Sequence, residues 1–268
     1  VEACPGTNKA ARMSMLHSFY CWGHMAVVLL STLYFTLAGI ENWRFLPLLW
    51  ALVPLFTFFA FTKVPIYAVP GDDEKTRLPK SIFRIKVFWV LFFAMICAGA
   101  SEQGVSQWSS MFAEDGLKVS KTLGDLLGPC SFAFFMGLSR FLYGMKGEGL
   151  NLIRSLKSAS LLCILGYLIT SLSPIPLLAL AGCAICGFSV GLMWPGTFSL
   201  GATYLKGGGT FMYAMFALAG DVGCSAGPGV VGIISQFTGK MNLGIFTAIL
   251  FPVCLLVLMS LLKHQKPA

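Results

Sequence analysis

Residues 86–108 read KVFWVLFFAMICAGASEQGVSQW, an apolar run that ends in a cluster of polar side chains. A helix rises about 1.5 Å per residue, so some twenty apolar residues match the roughly 30 Å hydrocarbon core of a bilayer. Seven further stretches of this kind fill most of the chain. The sequence therefore predicts an all-α integral membrane protein with about eight transmembrane helices, at residues 14–38, 43–62, 86–108, 122–144, 153–172, 175–204, 210–234 and 241–262.

The composition supports a membrane protein and excludes a large soluble domain. Charged residues make up 11% of the 268 residues and apolar residues 56%, whereas about a quarter of a soluble domain is charged. If the amino terminus is cytoplasmic, 15 of the 19 Lys and Arg residues fall in cytoplasmic segments and 4 outside, as the positive-inside rule predicts. We therefore expect a multi-pass protein of the cell (plasma or inner) membrane, with both termini cytoplasmic. The net charge of +8 is then explained by the basic cytoplasmic segments that orient the protein in the membrane, and no nucleic-acid partner is predicted.

One long polar segment divides the chain. Residues 63–85 contain three prolines and charges of both signs, which is typical of a cytoplasmic linker. Two predicted spans precede this linker and six follow it. We interpret residues 1–62 as the remnant of an N-terminal six-helix half and residues 86–268 as a complete C-terminal half. On this interpretation the chain is truncated at its N-terminus.

A weak internal repeat supports two related halves. At an offset of 197 residues, MLHSFYCWGH (15–24) aligns with MYAMFALAGD (212–221), and Gly23 meets Gly220 while His24 meets Asp221. Repeats of this kind are common in secondary transporters. The alignment predicts that the first and seventh spans are equivalent helices of a duplicated unit.

The arrangement resembles the major facilitator superfamily, and most of all its fucose-permease-like sugar transporters. GASEQGVSQW (99–108) is similar to the seventh helix of those permeases, LHSFYCWG (16–23) to the fifth, and NWR (42–44) to the start of the sixth. The glycine-acid-basic loop signature of the superfamily is poorly kept in GLSRFLYGMKGEG (137–149), which retains Gly137, Arg140 and Lys146 but lacks the acid at its usual place. The resemblance implies two six-helix halves and the transport of a sugar.

Ionisable residues inside the spans are the first candidates for function, because a charge in hydrocarbon is costly unless it faces a cavity or a partner. Glu102 is the strongest candidate. Gln103, Gln107 and Trp108 follow it closely, and amides together with an indole suit the hydroxyls and the apolar face of a sugar. A carboxyl group away from water can also carry a proton. The alternative is a glutamate at the headgroup level, or one that pairs with a neighbouring helix.

Three further residues are candidates for the solute or proton pathway, each with a structural alternative. Asp221 lies among glycines near the middle of its span and either couples transport or bonds a neighbouring helix. His24 could relay a proton or serve as a neutral hydrogen-bonded residue. Trp194 precedes Pro195 and Gly196, where either a broken helix exposes backbone to solute or the helix has a simple kink.

The remaining polar residues suggest structural roles. Arg140 and Lys146 are predicted to form salt bridges on the inner face, where they would hold a closed state. Asp125 is predicted to close a capping box with Thr122. Cys183 and Cys186 form a CxxC pair in an apolar run without a second pair, so we expect the cysteines to be packing residues. No metal and no cofactor are predicted.

Taken together, these features predict a secondary active transporter that is not an enzyme. It would take up a sugar or similar small polar solute with a coupling ion, a proton before sodium, by alternating access, and would act in the bilayer as a monomer when full length. A drug or metabolite exporter of the same superfamily is the alternative. The three histidines and the lack of HExxH, GxSxG and phosphate-loop motifs weigh against an enzyme or an ATP-driven pump.

Overall fold

We describe the protein from a computed structural model, in which residues 8–64, 80–146, 150–205 and 208–262 are described. Within these ranges the chain is helical, and eight helical spans are long and apolar enough to cross a bilayer. The prediction of an all-α membrane protein with eight spans is thus confirmed. We number them span 1 to span 8 in chain order: Lys9–Ala38, Ile40–Phe61, Lys86–Gly116, Lys121–Met145, Leu152–Leu172, Pro176–Tyr204, Gly209–Thr238 and Met241–Leu262.

Five of the spans contain interruptions of regular α-helix. Span 2 opens with a 3₁₀ segment, while spans 3 and 4 each contain a π-helical segment. In spans 6 and 8, the α-helix is interrupted for two residues. The α-helical segments of these five spans are Leu46–Trp50 and Leu52–Phe61; Lys86–Ser106 and Ser109–Met111; Lys121–Asp125 and Ser131–Lys146; Pro176–Val190 and Met193–Tyr204; and Met241–Thr247 and Leu250–Leu262.

Span 3 lies at the centre of the bundle and packs against spans 6, 7 and 8. Its closest partner is span 7, because Gly99 of span 3 and two glycines of span 7 allow the two backbones to touch. A Cβ atom at Gly223 would overlap the carbonyl oxygen of Ile96, and one at Gly227 would overlap that of Ala100. These two glycines form a GxxxG pair, the pattern that permits close approach of membrane helices. Span 1 packs against span 4, and spans 5 and 6 pack against each other.

The ends of the spans follow ordinary helix chemistry in part. The side chains of Asn8 and Asn151 accept backbone hydrogen bonds from Ala11 and Arg154, which caps spans 1 and 5. The predicted capping box at Thr122 is wrong, since the helix begins at Lys121 and has no side-chain cap.

Asp125, the other member of that predicted box, bonds side chains instead. It accepts hydrogen bonds from Ser110 and from Thr32, and it pairs with Lys121 at 3.4 Å. This carboxylate therefore ties span 4 to spans 1 and 3.

The predicted linker at residues 63–85 lies mostly outside the described residues, which stop at residue 64 and resume at residue 80. The division into two halves at this point therefore stays a prediction.

Candidate functional site

A buried ion pair stands at the centre of the described bundle. Nη2 of Arg140 in span 4 donates to Oε2 of Glu102 in span 3 at 3.0 Å, and the two side chains are 2% and 6% exposed. The other two ion pairs among the described residues both involve Lys121, whose side chain is 49% exposed. Glu102 thus lies inside the protein against a charged partner, as one of its sequence-based alternatives proposed, and not at a headgroup surface.

The position of Arg140 differs from the sequence-based interpretation. Arg140 is five residues from the C-terminal end of span 4, which suggested an inner-face salt bridge. Side chains on a helix lean toward its N-terminus, and the long arginine stem therefore reaches back into the bundle. Arg140 does form a salt bridge, with Glu102 in the interior of the bundle, and its role on the inner face stays a prediction. The side chain of Lys146 lies outside the described residues.

An open cavity of about 700 Å³ lies beside this ion pair, between spans 1, 3 and 4. Gln103 connects the two, because its Nε2 donates to Oε1 of Glu102 at 3.4 Å. The walls are mostly apolar by surface but include amides and hydroxyls, and they are formed by Tyr20, Gly23, His24, Val27, Gln103, Ser106, Gln107, Ser110 and Pro129. Of the predicted pathway residues, the structure thus brings Glu102, Gln103, Gln107 and His24 together.

His24 carries an unsatisfied polar atom. Its Nδ1 is buried and has no hydrogen-bond partner among the described residues, and its ring tilts against Tyr20 with 6.1 Å between the centroids. Buried polar atoms are nearly always bonded, so this nitrogen is an exception.

The two tryptophans of the predicted pathway lie away from this cavity. The indole N–H of Trp108 donates to the carbonyl of Pro228 in span 7 at 3.0 Å. Trp194 packs against Gly220 and lies 6.1 Å from the ring of Phe198. Both rings therefore contact neighbouring helices and do not line this cavity, and their place in a solute pathway stays a prediction.

Asp221 lies on an exposed position of span 7 and makes no ion pair among the described residues. Cys224, one turn further along, interacts electrostatically with both Asp221 and Glu102. Asp221 is therefore near the ion pair and separate from it.

Two backbone carbonyls that bond Arg140 were missed by sequence reasoning. Nη1 of Arg140 donates to the carbonyl of His17 at 3.1 Å, and Nε donates to that of Gly191 at 2.9 Å. The signal for Gly191 was present in the sequence, since Pro195 stands four residues later. A proline has no N–H to donate to the carbonyl one turn before it.

The two cysteines of the CxxC pair lie in a packing interface between spans 5 and 6, as expected. Cys183 and Cys186 are fully buried and free, and they face span 5. Cys186 stands against Gly166, and Cys183 accepts a hydrogen bond from Thr170. No cluster of histidine, cysteine or acidic residues suited to a metal ion occurs among the described residues.

Eight apolar spans, four of which meet at a buried ion pair, define a polytopic membrane protein with a charged site in its interior. The sequence profile of the Major Facilitator Superfamily matches residues 1–228. The chain belongs to this superfamily of membrane transporters. No curated protein matches the chain.

Among solved structures, the chain is similar to a crystal structure of the E. coli fucose:proton symporter. The TM-score is 0.74 and the sequence identity 14%, over 98% of this chain and 71% of the symporter. An identity this low shows a shared fold, which agrees with the resemblance to fucose permeases found in the sequence.

Proposed function

We propose that this protein is a secondary active transporter that takes up a sugar or similar small polar solute together with a proton. The observation that carries the proposal is the buried Glu102–Arg140 pair, which stands beside an open cavity and is joined to it by Gln103. The fold of a fucose:proton symporter supports the same chemistry.

The solute site is the cavity between spans 1, 3 and 4. Its volume of about 700 Å³ is within the range of roughly 300–1,000 Å³ for small-molecule sites. Gln103 and Gln107 offer amide donors and acceptors to hydroxyl groups, and Tyr20 offers a ring to an apolar sugar face.

Glu102 is the proton carrier in this proposal. As a carboxylate it pairs with Arg140, and as a carboxylic acid it no longer carries the charge that balances the guanidinium. Loss of this charge shifts the equilibrium between two conformations of the bundle. Because Gln103 bonds Glu102 and lines the cavity, solute binding and protonation affect the same group.

The orientation and organisation of the protein are part of the proposal. We infer that the halves meet at residues 63–85, that both termini are cytoplasmic, and that the monomer acts in the plasma or inner membrane. Spans 1 and 7 support a duplicated unit, because both are 30 residues long and both end at a glycine with positive φ, Gly39 and Gly239.

The test is uptake of labelled L-fucose and a panel of other sugars by cells that express the protein, with and without an inward proton gradient. We expect gradient-driven accumulation of at least one sugar, and loss of that accumulation in Glu102→Gln. Asp115→Asn is the matched control, because Asp115 is an exposed acid in the same span and has no place in the proposed pathway.

Two results would contradict the proposal. Uptake that ignores the gradient, or that continues at full rate in Glu102→Gln, would rule out coupling through this carboxyl. Raised drug resistance without uptake of any sugar would favour an exporter.

A further inference from the structure

Arg140 joins four spans at one buried point. From span 4 its guanidinium bonds the Glu102 carboxylate of span 3, the His17 carbonyl of span 1 and the Gly191 carbonyl of span 6. Its own carbonyl accepts a hydrogen bond from Ser14 of span 1 at 2.9 Å. An arginine presents five N–H donors in a planar fork, and three partners on three helices use that fork in different directions.

The bond to Gly191 exists because span 6 is interrupted there. In an α-helix the carbonyl of residue 191 would accept from the N–H of residue 195, but residue 195 is proline. The helix ends at Val190 and resumes at Met193. Nε of Arg140 supplies the donor that Pro195 lacks, so a backbone defect in span 6 becomes a fixed attachment point for span 4.

Span 1 is attached at the same place by side-chain packing. The ring of His17 stacks on Phe198 of span 6 at 6.2 Å, and the ring of Tyr20 lies 5.8 Å from the guanidinium carbon. The titratable groups that interact electrostatically with the ion pair are His17, Tyr20 and Cys21 from span 1 and Cys224 from span 7. Glu102 is the carboxylate in contact with Arg140.

We propose that Arg140 is a positioning residue that couples the charge of Glu102 to the seating of span 1 against the break in span 6. This inference rests on the proposed function in taking Glu102 as the group that gains a proton. A neutral Glu102 leaves the buried guanidinium with carbonyl partners but no counter-charge, which is unfavourable in a dry bundle. Hydration of the Arg140 guanidinium lowers this free-energy cost. Water reaches Arg140 when span 1 moves away from spans 4 and 6.

The movement can be followed at a native cysteine. Cys21 is fully buried, one turn from His17, and its Cβ faces Gly137 of span 4. The full-length protein in lipid nanodiscs is treated with N-ethylmaleimide, and labelling of each cysteine is measured by mass spectrometry. Cys183 and Cys186, fully buried between spans 5 and 6, report whether the rest of the bundle stays closed.

We expect Glu102→Gln to raise the labelling rate of Cys21 by about tenfold, the population change that loss of one charge-assisted contact gives. Arg140→Lys should do the same, because a lysine keeps the charge but not the fork. Pro195→Ala restores an N–H that competes for the Gly191 carbonyl, and should raise labelling about threefold with Glu102 intact. Arg154→Gln is the control, since Arg154 is exposed, and should change nothing.

The proposal is overturned if Cys21 stays as protected as in the wild type in both Glu102→Gln and Arg140→Lys. It is also overturned if Cys183 and Cys186 become labelled together with Cys21, because that pattern means general loosening. The assay needs no solute. If uptake does not depend on the gradient but the labelling of Cys21 still rises in Glu102→Gln, proton coupling is rejected and the positioning role is still supported.

Discussion

Spans 2 and 3 are both apolar enough to cross a bilayer, yet their surroundings are opposite. In an apolar stretch of 18 residues within span 2, no residue is buried in the protein. In the equivalent stretch of span 3, 67% of the residues are buried. Span 2 presents large side chains to its surroundings, such as Phe56 at 74% exposure. Span 3 contains Gly99, Ala100 and Gly104 at the places where other helices touch it.

The difference shows what apolar composition means in a membrane. Lipid tails and a protein interior are both apolar, so a long hydrophobic run satisfies either one. Small residues and polar groups distinguish them, since small residues let backbones approach and polar groups need partners. Span 3 has both and becomes the centre of the bundle, whereas span 2 has few of either.

The largest expected effect is at the ion pair in span 3. Glu102→Gln leaves the Arg140 guanidinium unpaired, and we expect a loss of about 3–5 kcal/mol in the free energy of unfolding. Because both charges are removed together, the double variant Glu102→Gln with Arg140→Met should recover a large part of that loss. Thermal unfolding in detergent measures both.

The matched control for this pair is Glu41→Gln at the start of span 2, where the acid is exposed. It should change the free energy by less than about 0.5 kcal/mol. Equal losses at both positions would mean that burial does not distinguish the two spans.

The next effect concerns aromatic side chains. Phe88 of span 3 is fully buried and lies 5.7 Å from the ring of Phe216. Phe88→Ala should leave a cavity of order 100 Å³ and cost about 2–3 kcal/mol. Phe56→Ala in span 2 should cost less than about 0.5 kcal/mol, since a side chain that is 74% exposed has little protein contact to lose. Urea or thermal unfolding of the two variants in the same detergent compares them, and similar losses would contradict the assigned surroundings.

The smallest effect concerns the helix that packs on span 3. Gly223→Ala places a methyl group on the carbonyl of Ile96 and should cost about 1–2 kcal/mol through forced separation of spans 3 and 7. Gly229→Ala on the same helix meets nothing within 4 Å and should be neutral or stabilise by up to about 1 kcal/mol. Thermal unfolding of the two variants measures the difference. If Gly229→Ala lowers the stability as much as Gly223→Ala does, the glycines provide helix flexibility and not close packing.

Much of the candidate site was visible in the sequence. A charged residue stands out in an apolar run, so Glu102, His24 and the glutamines after Glu102 were identified from their neighbours alone. The contacts that Trp108 and Arg140 make were not visible in the sequence, for one physical reason. Position along a helix gives depth, but it does not say which neighbour lies across the interface or how far a long side chain reaches.

By itself, the sequence determined that this chain forms membrane-spanning helices, how many there are, and which few polar groups they contain, because helix length and hydrophobicity are local properties set by the bilayer. Only the tertiary structure decided that Glu102 meets Arg140, that Arg140 bonds the carbonyl left free by Pro195, and that span 3 is enclosed while span 2 is not. The two contacts of Arg140 join residues 38 and 51 positions apart in the chain, and the packing of whole helices against one another is what brings them together.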